Sequence, residues 1–537
     1  MEYTVQNLEY AVSVFYNGDL TADRAKAHSW LTLAQRAPEA WNFVWELLQP
    51  NKGTEIQFYA ATTLHTKILR CWNEVPPESY DELRDKILHA IFTYSKGPKI
   101  VTNRLCISLA AFILQQGTND LASILTPLSS SENLSLLLEV LTVIPEEYSS
   151  MTMGAALRTK NRTALQQACP AVLDDMLRYL QSVFNDYSQE PPSEAVVQSW
   201  FAAASCASSW LGLGGEESDH CTLPERLPLC HALLTVVHVL YTVNECVSDT
   251  ALDACEVCLA AVRAAGAAFD TSRYPQAAMQ LLVELAALTA PVARLHNVPN
   301  SINDELLSSL ITCCVALSEY HARCLVKAVE AVDGLETYKE GAYQMIELLL
   351  AVQSAPGHYP LHETRSNLVF GFWYTLQDEI LNLMDSNEQT LIHPVWREVY
   401  MRLLDTLIRK SEAPDDNLLS KDEMELLRCY RQDIADAVMY CYGILGEWCW
   451  SRVAEAAAAA GTDAAGEGAR EAALHVFAAM ADAAPMRAPA GLLPLLNHAV
   501  LAAHHAAAPR TLGTALDCLG ERRCRCRRYY CHCYCRC

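Results

Sequence analysis

Several familiar signatures are missing from this chain of 537 residues. It has no uninterrupted apolar run of about 18 residues, the length a helix needs to cross a bilayer, so no membrane span is expected. It has no convincing stretch of alternating apolar and polar residues, which argues against strands. No glycine-rich phosphate loop occurs: GLGGEE at 212–217 lacks the Lys-Ser/Thr pair and follows no strand. Neither Gly-x-Ser-x-Gly nor His-Glu-x-x-His is present, so an enzyme reading has no residue to rest on and no cofactor is expected. The opening MEYTVQNLEY has neither the basic nor the apolar segment of a secretory leader, which points to a cytosolic chain.

Positive charge is also scarce. Lys and Arg number 40 against 63 Asp and Glu, a net −23. The last 17 residues hold six Arg and one Glu, a local +5, so the preceding 520 carry −28. A body this acidic repels nucleic acid and anionic lipid and attracts basic proteins, although the same charge also serves plain solubility.

The residues that are present have helical period. Ile56, Ala60, Leu64, Ile68 and Cys71 recur every three or four positions, as do Val101, Leu105, Leu109 and Phe112. Each set gives a helix one apolar stripe. The breaks centre on proline: Pro38, Pro50, Pro76-Pro77, Pro98, Pro127, Pro145, Pro170 and Pro191-Pro192. They group the helices in pairs, 38–49 with 55–72 and 78–95 with 98–116, each pair using roughly 40 residues. A lone hairpin cannot bury its stripe, so the expected fold is all-α, a HEAT-repeat solenoid in which neighbours stack. The alternative, separate helical bundles, needs long polar linkers. The best candidates, 211–220 and 411–423, are short enough to be loops between stacked helices. The Ala-rich stretch 454–508 keeps helical spacing at Leu474, Phe477 and Met480 and reads as further hairpins with smaller core residues.

Three clusters invite a chemical reading. In GHYPLHETRSNLVFGFWYTLQDEI (357–380), His358 and His362 stand four apart beside Glu363. A zinc pair at that spacing needs a helix and a third ligand, whereas Pro356, Gly357 and Pro360 place these histidines in a turn. Glu363 and Thr364 suit a helix start, so the stretch reads as loop and cap, with no metal site. Cys255 and Cys258 form a Cys-x-x-Cys within a helical pattern, with no second pair at zinc spacing, and read as core, like Cys313 and Cys314. Fifteen of the 22 cysteines scatter over 71–449 and read as reduced, buried, small apolar residues. The tail CRCRRYYCHCYCRC (524–537) could bind soft metals, but the abrupt change of composition at Gly520 favours a gene-model artefact over 521–537.

Four longer stretches, taken together, carry a family resemblance. They are AKAHSWLTLAQRAPEAWNFVWELLQPNKGTEIQFYAATTLHTKILRCW (25–72), LTVIPEEY (141–148), GHYPLHET with FWYTLQDEI, and LLRCYRQDIADAVMYCYGILGEW (426–448). They resemble the importin-β superfamily of nuclear transport receptors. The likeness is good over about 1–450 and thins towards 520. It implies N-terminal HEAT repeats over 1–117, including an importin N-terminal domain at about 25–93, central repeats over 118–450 and HEAT-like helices over 451–520. It implies binding of Ran-GTP through inner helices at about 20–35, 55–72 and 98–116, carriage of protein cargo, mainly inward, and contact with nuclear pore proteins while shuttling between cytoplasm and nucleus. The basic residues on those helices, Lys67, Arg70, Lys99 and Arg104, are the candidates for Ran contact, though each also suits ordinary solvent-facing charge. Such receptors usually run to roughly twenty repeats, and about thirteen of roughly 40 residues fit here. A C-terminally truncated scaffold that binds proteins without transporting them is the alternative.

Overall fold

The computed structural model describes residues 2–519 apart from 19–20, 118–120, 131–132, 187–191, 214–221, 244–247, 268–272, 296–301, 387–390, 462–465, 482–488 and 507. Linker candidate 211–220 lies largely outside the described residues, and the tail 521–537 wholly so. No strand occurs among the described residues.

The chain forms two compact units, Met1–Ala268 and Phe269–Cys537, each a stack of helical hairpins. The first unit pairs α1 (Val5–Asn17) with α2 (Thr21–Ala34), α3 (Ala40–Leu47) with α4 (Thr54–Arg70), and α5 (Tyr80–Tyr94) with α6 (Lys99–Gln116). There follow the short α7 (Leu121–Leu125) and α8 (Leu134–Ser150), α9 (Ala155–Asp186) and α10 (Glu194–Leu211), and α11 (Leu223–Val243) and α12 (Asp249–Gly266). From α4 onward the second helices pack directly on one another: α4 on α6, α6 on α8, α8 on α10, α10 on α12.

The second unit repeats the plan. It pairs α13 (Pro275–Leu295) with α14 (Ile302–Tyr320), then sets α16 (Lys339–Gln353) and α17 (Phe370–Ser386) together through the short α15 (Ala322–Glu330) and the 3-10 turn Arg365–Val369, on both of which each packs, and pairs α18 (Pro394–Lys410) with α19 (Lys421–Leu445). It ends with α20 (Trp448–Ala459) and α21 (Glu467–Met480), then α22 (Leu492–His505) and α23 (Pro509–Leu519). Here the layer of second helices is α14, α17, α19, α21, α23. The fold is the HEAT-repeat class expected from the stripes. The two hairpins read from the sequence are α3/α4 and α5/α6. Eleven hairpins stand among the described residues rather than about thirteen, because helices such as α9, with 32 residues, and α19, with 25, exceed a repeat's usual share.

The stripes form the core, except that Ile56 and Cys71, at the ends of the first one, are only partly buried. Val101, Leu105, Leu109 and Phe112 are buried, as are Leu474, Phe477 and Met480 in the Ala-rich region. Cys255, Cys258, Cys313 and Cys314 are buried, and burial pushes the Cys255 and Cys314 thiols up to about 12. In α13, Pro275–Ala293 is long and apolar enough to match a bilayer span, but half of it is buried against its own unit, where α13 packs on α14 and α16. Residues 411–420 of the linker candidate 411–423 connect α18 and α19, as their length suggested, and 421–423 open α19. That loop closes on a capping box, with Ser420 accepting from the Glu423 N–H and Glu423 accepting in return.

Two prolines depart from the expected breaks. Pro145 lies inside α8 and Pro170 inside α9. A mid-helix proline has no N–H, so it orphans the carbonyl four residues earlier. For Pro145 that carbonyl is Leu141, and it accepts a 2.8 Å hydrogen bond from the Trp210 indole of α10. The adjoining Thr142 carbonyl accepts from the Ser209 hydroxyl at 2.6 Å. The next repeat supplies donors to the interrupted turn, so the helix continues. Trp210→Phe, which keeps an aromatic ring but removes the donor, should destabilise the chain by about 1–3 kcal/mol in urea unfolding, the cost of a buried orphan carbonyl. An unchanged midpoint would show that the indole bond is dispensable.

Candidate partner-binding face

The side of α4, α6 and α8 turned away from the core is the candidate face. On α4, Phe58, Thr62, His65, Thr66 and Leu69 are incompletely buried at a three-to-four spacing, besides Thr54, Glu55 and Ile56 in its first turn and Arg70 at its end. The incompletely buried residues of α6 include Lys99, Ile100, Asn103, Arg104 and Ile107, and those of α8 include Ser135, Glu139, Thr142 and Glu146. The guanidinium of Arg104 lies 5.7 Å from the Phe58 ring centre, a cation–π arrangement across adjacent repeats. His65 Nε2 meets Glu147 Oε1 at 2.8 Å, tying α4 to α8. Thr62 Oγ1, Arg104 Nε and Glu139 Oε1 are each buried without a hydrogen-bond partner among the described residues. One such atom comes from each of three successive helices. Burial also holds the Glu146 carboxyl above its ordinary value.

The four expected contact residues divide. Arg70 and Lys99 are exposed and Arg104 is partly exposed at this face. Lys67 departs from the expectation that its charge is presented to a partner, because its side chain is wholly buried. Its ammonium donates to Glu74 Oε2 at 2.5 Å and to the Ala37 carbonyl at 3.2 Å, and sits 5.2 Å from the Trp41 ring centre. Trp41 Nε1 donates to the same Glu74 oxygen at 3.0 Å, and the Lys67 hydrogen bond, above all, holds Glu74 below the usual carboxylate range. Lys67 therefore locks α3, α4 and the turn Trp72–Glu74 together. Phe58, Thr62 and Glu139 escaped the sequence reading, which looked for charge. Their signal was position: each stands three or four residues from another incompletely buried residue of its helix.

The histidine stretch of the second unit is a capped loop. His358 Nδ1 pairs with the Glu412 carbonyl at 3.0 Å, and His362 Nδ1 accepts from the His358 N–H at 3.1 Å. Glu363 caps the 3-10 turn Arg365–Val369, accepting from the Ser366 N–H at 3.0 Å and from its hydroxyl at 2.7 Å. Glu363 also holds the buried Lys410 ammonium, which reaches the Ala355 and Gly357 carbonyls at 3.0 Å each. Burial keeps Lys410 below the usual lysine range, against the pull of Glu363. Among the described residues no group of three His, Cys, Asp or Glu is placed to hold a metal.

Family models match in three places: an importin-β N-terminal domain over 27–93, an exportin 1-like protein over 98–248, and an importin 13 repeat over 414–447. Importin-13 of Bos taurus and of Homo sapiens are each 30% identical over 460 residues, covering 83% of this chain and 44% of their own length. The mRNA transport regulator MTR10 of Saccharomyces cerevisiae is 21% identical over 465 residues, covering 82% of this chain and 43% of its own length. A solved structure of importin-13 in its cytosolic state aligns with TM-score 0.69 and 26% identity, over 86% of this chain and 51% of that one. The chain thus spans about half the length of the relatives it matches.

The buried lysines set two expectations for stability. Lys67→Met should destabilise the chain by about 3 kcal/mol, because Glu74 and Trp41 lose their shared partner, whereas Arg70→Ala and Lys99→Ala should stay within about 0.5 kcal/mol. Lys410→Met should cost about 3–5 kcal/mol by stranding Glu363, and adding Glu363→Leu should restore most of it. Urea midpoints of the four variants and the double variant decide both. Equal losses for Lys67 and Lys99, or no rescue by the second change, would refute the respective reading.

Proposed function

The chain belongs to the importin-β superfamily, and from that premise we propose that it is a nuclear transport receptor that binds Ran-GTP through its N-terminal repeats and carries protein cargo through the nuclear pore. The observation that carries this reading is the family match at 27–93, which spans α2 to α5 beside the face of α4, α6 and α8. On that face Arg104 and Lys99 offer positive charge, Phe58 and Ile100 offer apolar surface, and three buried polar atoms lack a partner among the described residues. Basic protein cargo suits the net charge of −23, which steers cations towards the chain before contact. Import cargo and Ran-GTP oppose one another through a coupling free energy that acts equally on both. Pore proteins complete the partner set, and the receptor shuttles between cytoplasm and nucleus.

The test is capture by the immobilised chain of Ran loaded with GTP or with GDP. GTP-selective capture is expected, and Lys99→Glu with Arg104→Glu should weaken it about tenfold or more, as loss of contacts at an interface centre does. Unchanged affinity in that variant removes the pair from the site. Capture in neither nucleotide state favours the scaffold reading.

A further inference from the structure

The start of α9 departs from the electrostatics of the rest of the chain. Residues 158–162 read Arg-Thr-Lys-Asn-Arg, three cations in five positions of a chain with net charge −23. Arg158, Lys160 and Arg162 are all exposed. None of them forms an ion pair among the described residues: Glu147 at the end of α8 meets His65 at 2.8 Å, and Asp175 farther along α9 meets Arg178 at 3.2 Å. The arrangement works against the helix that carries it. Arg158 and Arg162 stand one turn apart, a like-charge pair at i, i+4. The first turn of α9 has no acidic residue and closes on Arg158, where a cation faces the positive end of the dipole. Only Lys160 has a compensating neighbour. A Cβ added at Gly117, the C-cap of α6, would lie 3.5 Å from Lys160 Cδ, so its stem runs beside the negative end of that helix.

The cations are nonetheless firmly mounted. The Arg158 guanidinium lies 5.0 Å from the Tyr148 ring centre and donates to the Met151 carbonyl at 3.4 Å, and the Tyr148 hydroxyl donates to the Arg158 carbonyl at 3.4 Å. Between Lys160 and Arg162, the buried Asn161 donates to the Leu114 carbonyl of α6 at 2.8 Å. The first two turns of α9 are thus pinned to both α6 and α8. At helical spacing Arg158 and Arg162 line one edge of the exposed face and Lys160 the other, with the exposed Thr159 and Thr163 between them. From Ala155 to Gln167 the helix has no carboxylate and no exposed large apolar side chain. A chain that breaks its local rules at one place, and fixes the offending groups there, has a use for them. With no apolar surface to cover, the partner must be recognised by charge. Nucleic acid and anionic membrane spread their charge well beyond so small a patch and would meet the acidic body around it. A short acidic stretch of protein meets three cations and two hydroxyls without doing so.

We propose that Arg158, Lys160 and Arg162 form a docking site for an acidic segment, rich in Asp and Glu, of a partner protein. The site is independent of the Ran reading and opposite in sign to the basic cargo suggested by the net charge. The probe is a short rhodamine-labelled peptide of alternating Asp and Gly, titrated with the full chain and read by fluorescence anisotropy. Binding should weaken steeply between low and physiological salt. Lys160→Gln with Arg162→Gln removes two side chains that hold no hydrogen bond or ion pair among the described residues, so folding is spared. That double variant should weaken binding about tenfold and flatten the salt dependence. Arg158→Lys keeps the charge but loses the planar fork, and should weaken binding several-fold. Arg178→Gln, which removes an exposed cation of the same helix that already has a partner, should leave the affinity within about twofold. Three results overturn the proposal: no binding of the Asp/Gly peptide by the unmodified chain at low salt, an equal loss in the double variant and in Arg178→Gln, or tighter binding of a single-stranded oligonucleotide of equal charge than of the peptide.

Discussion

Everything in this molecule follows from the inability of one helical hairpin to cover its own apolar stripe. Each stripe, such as Val101 to Phe112 on α6, is buried only because α4 and α8 lie against it. The same constraint governs polar groups. Asn161 of α9 donates to the Leu114 carbonyl of α6 at 2.8 Å, Gln115 of α6 to the Ile68 carbonyl of α4 at 3.2 Å, and Trp210 to Leu141. Each is a buried or half-buried bond whose partner belongs to a neighbouring repeat, so a repeat is complete only in company.

That dependence explains why buried charge is tolerated. Lys410 with Glu363 and Arg431 with Glu471 are buried pairs that join consecutive hairpins of the second unit, and Thr514 of α23 adds a 2.5 Å bond to Glu471. A hydrocarbon contact tolerates sliding, because its energy depends on area more than on direction. A bidentate pair such as Arg431–Glu471, at 2.9 and 2.6 Å, does not. These pairs fix the register of α18, α19, α21 and α23 where oily stripes alone would leave it loosely set.

The fold was legible in the sequence because stripe spacing and hairpin length are local properties. Ala60, Leu64 and Ile68 declared a buried side before any neighbour was known, and all three are buried. Pro145 misled for the opposite reason: whether a proline ends a helix depends on a donor, here Trp210, 65 positions away in the chain and invisible to local pattern. Lys67 misled likewise. Charge on a helix near a resemblance-derived site suggested contact, but Trp41, Ala37 and Glu74 close around it only once α3, α4 and the following turn have packed.

These stacks distribute rigidity unevenly, and function depends on that distribution. α10 and α12, which pack on each other, bury many small residues, Ala203, Ala204, Cys206 and Ala207 on one and Ala251, Ala254, Cys255 and Cys258 on the other, beside the larger Trp200 and Trp210 of α10 and Leu252, Leu259 and Val262 of α12. Small side chains let backbones approach closely and leave few directional contacts to resist a change of angle. Around α18, α19 and α21 the ion pairs oppose such a change. Residue size and ion pairing thus divide the chain: small buried residues are frequent on α10 and α12, whereas buried ion pairs gather around α18, α19 and α21.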